Sequence, residues 1–341
     1  MVFVFPQFQY THGHQADLAA LLTDQTVTLH RRDLQTILDF FPGLVWSTDF
    51  LFPFLLVLFL LPVNLMLEVY KWKILITKLE DISWWNATKA VLTGISVSMI
   101  LPNRVGDYLG RVFVLEKADR LQAVLSTIIG SLAQLITTVL FGLLAVNMFF
   151  PAYYGFPDKL SVWIYVGLII VSLVLMLLLV LTFLSFASFS DVIRRISGRF
   201  YEKVEKYAMV FSWYSLSDLL KVLLISIMRY VVFSFQFYLL LLAFGLSLPY
   251  FTAVMLIGLV YLAMTVIPTI ALSELGVRGS VSMFIFAMYL KPIITWTDDI
   301  PLAVFSASGM LWIINLAFPA LLGLMLVYSL RFFRKINGDR V

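Results

Sequence analysis

The stretch SVSMILPNRVGDYLGRVFVLEK, Ser96–Lys117, begins as an apolar helix and turns polar after a proline. A helix over residues 90–101 would be about 18 Å long, too short for a hydrocarbon core of ~30 Å. An ionised side chain at the bilayer centre costs about 2.5–3.5 kcal/mol on insertion scales. The charged residues that follow the proline are Arg104, Asp107 and Arg111. The stretch therefore predicts a helix that breaks inside a membrane, with its charges facing protein, water or a ligand.

The composition of the whole chain supports a membrane location. Of its 341 residues, 61% are hydrophobic and 13% are charged, whereas soluble domains carry roughly 25% charged residues. We predict an all-α polytopic membrane protein with five full spans, at about 50–70, 121–149, 160–187, 219–245 and 302–330. Two further apolar regions are interrupted by polar residues, and these are 88–116 and 250–290.

The distribution of lysine and arginine predicts the orientation. Most of them follow the first span, precede the second, separate the third from the fourth, or follow the last. The positive-inside rule places these segments in the cytoplasm, with the N-terminus outside and the C-terminus inside. Each interrupted region then begins and ends on one side. We therefore predict a re-entrant hairpin for 88–116, and for 250–290 a hairpin that either is re-entrant or crosses fully.

The two halves of the chain match in this topology. Pro102 and Pro268 are separated by nearly the same number of residues as Arg111 and Arg278. We predict an inverted repeat, in which broken helices meet near the bilayer midplane and form a transport site. Three domains are expected: an extracytoplasmic or interfacial segment (1–49), a transmembrane domain (50–330) and a basic cytoplasmic tail (331–341). Within the transmembrane domain, the repeats lie at 50–149 and 219–330, and they are joined by a connector span (160–187) and a basic cytoplasmic loop (188–218).

The first break has the residues of an anion site. Asp107 is spaced to pair with Arg104 and Arg111 on a helix, which leaves one positive charge. Asn103 and the backbone freed by Pro102 add hydrogen-bond donors. Guanidinium groups and spare N–H groups suit a phosphate. The alternative is that the charges form only a structural ion pair.

The second break repeats this pattern, since Glu274 and Arg278 are also four residues apart. Lys71 either belongs to the site or extends its ammonium to the membrane surface. Glycines and a proline loosen the backbone at both breaks, namely Gly106, Pro268 and Gly276. Further polar residues inside predicted spans are candidate site residues, namely Asn64, Glu68, Gln134, Arg229 and Gln236.

Several kinds of chemistry are excluded by the residue types. The chain has no cysteine, and its three histidines all precede the first predicted span. We find no catalytic motif and expect no metal or cofactor. No basic, aromatic-interleaved patch suggests nucleic acid binding.

Three motifs resemble one family. LPNRVGDYLGRVFVL is similar to the Pro-x-Arg-x-Gly-Glu…Arg motif of the lysylphosphatidylglycerol-synthase transmembrane, or flippase-like, family. IPTIALSELGVRGSV resembles its second motif, Pro…Gly-x-Gly-x-Arg-Glu, and NLMLEVYKWKILI resembles the Asn…Glu…Lys-Trp stretch of its shorter Bacteroidetes-type members. The resemblance covers roughly residues 50–330. The chain departs from the motifs at Asp107, where the family has Glu, at Ser273–Gly276, and at Gly279.

The resemblance implies a protein of the bacterial inner membrane that moves a phosphate-containing amphiphilic lipid between leaflets. The best-known relatives carry a soluble synthase domain after the membrane part; this sequence ends at Val341, so we expect no attached lysyl-lipid synthase. The expected partners are phospholipid or polyprenyl-phosphate headgroups, and we also consider a homodimer. Two alternatives stay open: an enzyme acting on a lipid or polyprenyl phosphate, and a scaffold for a membrane glycosyltransferase or synthase.

Overall fold

The computed structural model describes residues 47–101, 105–156, 158–185, 201–269 and 271–329. Within these ranges the chain forms helices and no strand. Three predicted parts lie wholly or largely outside the described residues: the N-terminal segment, the first part of the basic loop, and the C-terminal tail.

The first half of the described chain contains six helices: α1 (Thr48–Ile76), α2 (Trp84–Ser98), α3 (Val105–Val112), α4 (Arg120–Tyr154), α5 (Lys159–Leu184) and α6 (Tyr201–Ser212). The second half contains α7 (Leu216–Ala243), α8 (Tyr250–Val266), α9 (Ala271–Leu290), α10 (Asp299–Trp312), a π-helical turn (Ile313–Ala317) and α11 (Phe318–Ser329). Among the described residues, five helical stretches are long and apolar enough to cross a membrane: α1, α4, α5, α7 and the continuous stretch Asp299–Leu326. The five predicted spans are therefore confirmed, with shifted ends.

The first span is longer than predicted. We expected it to end at residue 70, before Lys71, but α1 continues to Ile76. The helix continues because the Lys71 ammonium lies 2.8 Å from the Glu68 carboxylate one turn earlier, so its charge is neutralised within the helix. Lys73 then lies in the last turn, where a cation interacts favourably with the helix dipole.

Both interrupted regions are broken where the sequence predicts. Helix α2 ends at Ser98 and α3 begins at Val105, while α8 ends at Val266 and α9 begins at Ala271. The segment from α2 to α3 returns to its starting level, because the Glu80 carboxylate before α2 accepts a hydrogen bond from the Lys117 backbone N–H after α3, at 2.8 Å. The re-entrant path through a bilayer and the inverted repeat stay predictions.

Small residues bring the helices close together. A Cβ atom at Gly110 of α3 would lie 2.7 Å from the Cα of Gly94 in α2, so these two backbones touch. Between α4 and α8, Gly142 and Gly258 leave room for side chains of the facing helix, Leu262 and Ala145 respectively. Such small-residue contacts are typical of membrane helix packing.

Polar and apolar contacts complete the bundle. The Ser96 hydroxyl of α2 donates to the Ala320 carbonyl of α11 at 2.6 Å. A buried apolar cluster joins α1, α4, α5 and the start of α7, through Leu75, Ile129, Phe183 and Leu219. Most of α5 is exposed, and its buried residues are Ser172 and Phe183. Within this bundle, α1, α3 and α7 meet around one carboxylate.

Candidate functional site

Glu68 lies at the centre of a buried ion-pair cluster. One carboxylate oxygen, Oε2, accepts from Lys71 Nζ at 2.8 Å and from Arg229 Nη1 at 2.6 Å. The other, Oε1, accepts from Arg111 Nη2 at 2.8 Å. Because these cations come from α1, α3 and α7, a single side chain connects three helices. The Glu68 side chain is 7% exposed, so its charge depends on these partners.

The local sequence explains how each helix presents its part of the cluster. Asn64, Glu68 and Lys71 are spaced by four and three residues, which places them on one face of α1. In α3, Asp107 and Arg111 are four residues apart and form a two-point pair, with Nε–Oδ1 at 2.9 Å and Nη2–Oδ2 at 2.6 Å. This fork geometry holds a guanidinium in one orientation. Arg111 Nη2 consequently bridges Asp107 and Glu68.

The described cluster carries an excess of positive charge. Three cations (Lys71, Arg111, Arg229) face two carboxylates (Glu68, Asp107). A buried charge without a partner is costly in a low-dielectric region. The most accessible charged side chains of the cluster are Arg229, which is 27% exposed, and Asp107, which is 19% exposed. Arg229 is therefore the cation that a ligand can reach most easily. An anion that approaches Arg229 would neutralise the cluster.

A chain of amide hydrogen bonds holds Arg229 from its other side. Arg229 Nε donates to Asn64 Oδ1 at 3.0 Å, and Asn64 Nδ2 donates to Asn315 Oδ1 at 2.7 Å. Asn315 Nδ2 donates to the Leu311 carbonyl at 3.3 Å. Asn315 lies in the π turn. Sequence reasoning missed Asn315, although an asparagine within an apolar span was a visible signal.

The second predicted group, at the other break, forms a separate ion pair. Arg278 Nη2 donates to Glu274 Oε1 at 2.6 Å, and both side chains are nearly buried. The guanidinium carbon lies 6.0 Å from the centre of the Tyr261 ring. Arg278 Nε and the Ser282 hydroxyl, one turn later, have no hydrogen-bond partner among the described residues. This group therefore also has spare donors.

The remaining predicted residues have other positions. Gln236 donates to the Val57 carbonyl at 3.0 Å and connects α7 to α1, while Gln134 donates to the Ser226 carbonyl at 3.3 Å. Lys71 is 2% exposed and does not extend to the surface, so that alternative is wrong.

Three predicted residues at the first break lie outside the described residues: Pro102, Asn103 and Arg104. Gly106 lies in α3 and packs against α2 at Val97. At the second break, Pro268 lies between α8 and α9, and Gly276 lies on the exposed side of α9.

Comparison with known proteins identifies the family. The family model described as "Lysylphosphatidylglycerol synthase TM region" matches residues 40–294. No curated protein and no solved structure matches the chain. The matched region contains Glu68, Arg111, Arg229 and Arg278, whereas Asn315 lies beyond it. Since the match covers well over half of the 341 residues, the resemblance predicted from the motifs is confirmed, and the chain belongs to the lysylphosphatidylglycerol synthase TM region family of membrane proteins.

Proposed function

We propose that the protein moves a phosphate-containing anionic lipid between the leaflets of a bacterial inner membrane, with its C-terminus in the cytoplasm. The observation that carries this proposal is the excess positive charge of the Glu68 cluster, formed by residues of α1, α3 and α7. Membership of the family supports a membrane role. A lipid phosphate supplies the negative charge that the cluster lacks, while its acyl chains stay in the bilayer.

Arg229 is the residue at which the headgroup enters. A guanidinium has five N–H donors, and two of those in Arg229 are used by Asn64 and Glu68. The remaining donors and the partial exposure of the side chain allow phosphate oxygens to bind. Binding to Arg229 weakens its contact with Glu68, which still has Lys71 and Arg111 as partners.

Arg278 provides a second position for the phosphate in this proposal. Its unpartnered Nε and the nearby Ser282 hydroxyl are donors that a phosphate oxygen would satisfy. The first position, at Arg229 of α7, shares the Glu68 carboxylate with Arg111 of the first broken region, and the second position lies in the second broken region. If these regions form an inverted repeat, passage of the headgroup from one to the other gives access to each leaflet in turn.

One observation favours a second candidate, in which the chain is a scaffold that transports nothing. Each described cation of the Glu68 cluster already has a carboxylate oxygen within 2.8 Å. Ion pairs of this kind can serve only to fix helices. The scaffold function predicts that a folded protein keeps its partner complex when the charge of Arg229 is removed.

The experiment compares wild type with Arg229→Gln. The control is Lys221→Gln, which removes an exposed cation from the same helix. Purified proteins are analysed by native mass spectrometry with lipid identification, and then reconstituted in phosphatidylcholine vesicles with fluorescent phosphatidylglycerol or phosphatidylethanolamine as the probe. We expect wild type and the control to retain and move the anionic lipid, and Arg229→Gln to lose both. Equal lipid retention in all three proteins would contradict the headgroup site and favour the scaffold.

A further inference from the structure

The amide chain between Arg229 and Leu311 has a fixed direction. The Asn315 side-chain NH₂ group donates to the Leu311 carbonyl, so the Asn315 side-chain oxygen must face Asn64. The Asn64 side-chain NH₂ group then donates to the Asn315 oxygen, and the Asn64 oxygen must face Arg229 Nε. A backbone carbonyl can only accept. The orientation of every amide in the chain is therefore determined from the Leu311 end.

This direction matters because Arg229 Nε can only donate. If the Asn64 amide rotated by half a turn, its NH₂ group would face the Nε–H group, and two donors would oppose each other. Asn315 prevents this rotation by accepting from Asn64 Nδ2 at 2.7 Å. Removal of Asn315 would leave Asn64 free to take either orientation, and in one of them the Arg229 guanidinium loses its support.

The backbone at Asn315 also has an uncommon geometry. The Phe318 N–H donates to the Ile313 carbonyl, five residues earlier, at the end of the π turn. Such turns are rare within α-helices and occur frequently at functional sites. The turn inserts extra backbone into the last span, and Asn315 lies at its middle residue.

We infer that Asn315 is a positioning residue for lipid recognition, which acts through Asn64 to hold the Arg229 guanidinium in the plane that receives an anionic phosphate. The inference rests on the proposed function. It also gives the π turn a role, because the turn carries the amide that sets the geometry of Arg229, although Asn315 itself touches no headgroup.

The test measures lipid movement at varied mole fractions of fluorescent phosphatidylglycerol. Asn315→Ala should raise the half-saturating lipid fraction roughly two- to tenfold, with the maximal rate nearly unchanged. This is the change in affinity that corresponds to the net free energy of one hydrogen bond. The matched control is Asn147→Ala, because Asn147 also donates to a carbonyl four residues earlier, at 2.9 Å, but lies outside the cluster. If Asn315→Ala does not fold, Asn64→Ala breaks the same chain of bonds and should give the same change.

A second background separates positioning from general structural support. Arg229→Lys keeps the positive charge but replaces the planar guanidinium by a rotating ammonium, which has no plane for the amide chain to fix. In that background Asn315→Ala should cause no further rise in the half-saturating fraction. An equal rise in both backgrounds, or a result matching Asn147→Ala, would overturn the inference while the proposed function stands. If wild type retains and moves no anionic lipid, both are overturned.

Discussion

Glu68 is the residue on which the arrangement of three helices depends. Its two oxygens accept from Lys71, Arg111 and Arg229. Loss of one partner from a buried ion pair is costly because it leaves the opposite charge unpaired, at about 3–5 kcal/mol. Glu68 has three partners, so its removal affects more than one pair. The free energy of unfolding is therefore more sensitive at this residue than at any single cation around it.

We predict that Glu68→Gln lowers the free energy of unfolding by about 3–5 kcal/mol, because buried Lys71 loses its carboxylate partner and Arg111 and Arg229 each lose one ion pair. Thermal unfolding of the purified protein in detergent measures the change. The double variant Glu68→Gln/Lys71→Met removes one negative and one positive charge together. It should recover part of the lost stability, and a double variant less stable than Glu68→Gln would contradict the assigned role of Lys71.

The ion pairs of single residues were predictable where the two partners are close in sequence. Asp107 with Arg111 and Glu274 with Arg278 are each four residues apart, so helical spacing alone predicts these pairs. Helical spacing could not predict the contact of Arg229 with Glu68, since the two residues are 161 positions apart and meet only through packing. The Asn64–Asn315 bond spans 251 positions for the same reason.

At the scale of secondary-structure elements, the close contact between α2 and α3 supports the Glu68 cluster. A Cβ atom at Gly94 of α2 would lie 2.5 Å from Asp107 Oδ1 and 2.7 Å from Arg111 Cγ. These two side chains form the two-point ion pair in α3. The absence of a side chain at Gly94 therefore allows α3 to present Arg111 towards Glu68.

We predict that Gly94→Ala destabilises the protein by about 1–3 kcal/mol, the usual cost of overpacking, and reduces lipid retention. The added methyl group must displace the fork between Asp107 and Arg111. The matched control is Gly276→Ala in α9, where no atom lies within 4 Å of the added Cβ. That change should leave the unfolding temperature equal or higher, because alanine favours a helix more than glycine. Equal melting of both variants would argue against the close contact.

A second element-scale feature connects the loops that flank α2 and α3. The Glu80 carboxylate accepts from the backbone N–H groups of Lys117 and Ala118 at 2.8 and 2.9 Å. Partial burial alone would raise the pKa of the Glu80 carboxyl, but hydrogen bonds from Lys117, Ala118 and Glu116 outweigh it and hold the pKa below its ordinary value of about 4.5. The ionised form is therefore the one that folding favours.

The sign of this shift gives a prediction about pH. A carboxyl whose pKa is lowered by folding stabilises the folded state above its ordinary pKa, and the stabilisation is lost as the pH falls through the lower value. We expect Glu80→Gln to be less stable than wild type at pH 7 and to approach wild type as the pH falls below about 4.5. Unfolding temperatures measured from pH 7 to pH 3 test this. A constant difference over that range would show that the Glu80 charge does not hold the loops.

The types of element were predictable because they follow from composition. Long apolar stretches predict spans, and polar residues within short apolar regions predict breaks. The predicted end of α1 is wrong because Lys71 does not end the helix: its ion pair with Glu68 allows the helix to continue. The π turn was not predictable, because Ile313–Ala317 is apolar apart from Asn315, and a single asparagine does not distinguish a π turn from an α-helix.

For the whole molecule, the distribution of charge predicts an orientation in the membrane. The connection between α1 and α2 contains Asp81, and the connection between α9 and α10 contains Asp298. Both side chains are exposed. The positive-inside rule places the first connection in the cytoplasm and the second outside. The direction in which a headgroup would move through the protein depends on this assignment.

The sequence makes that orientation directly measurable, since the chain has no cysteine of its own. We predict that a membrane-impermeant maleimide added to intact spheroplasts labels Asp298→Cys and leaves Asp81→Cys unlabelled, because only the former is expected to lie outside. After lysis both should react, which shows that both positions are accessible. The opposite pattern in intact spheroplasts would reverse the orientation. Because the Glu80–Lys117 contact places both ends of the first interrupted region together, Lys117→Cys must behave like Asp81→Cys in either case, and a different result would mean that the region crosses the membrane.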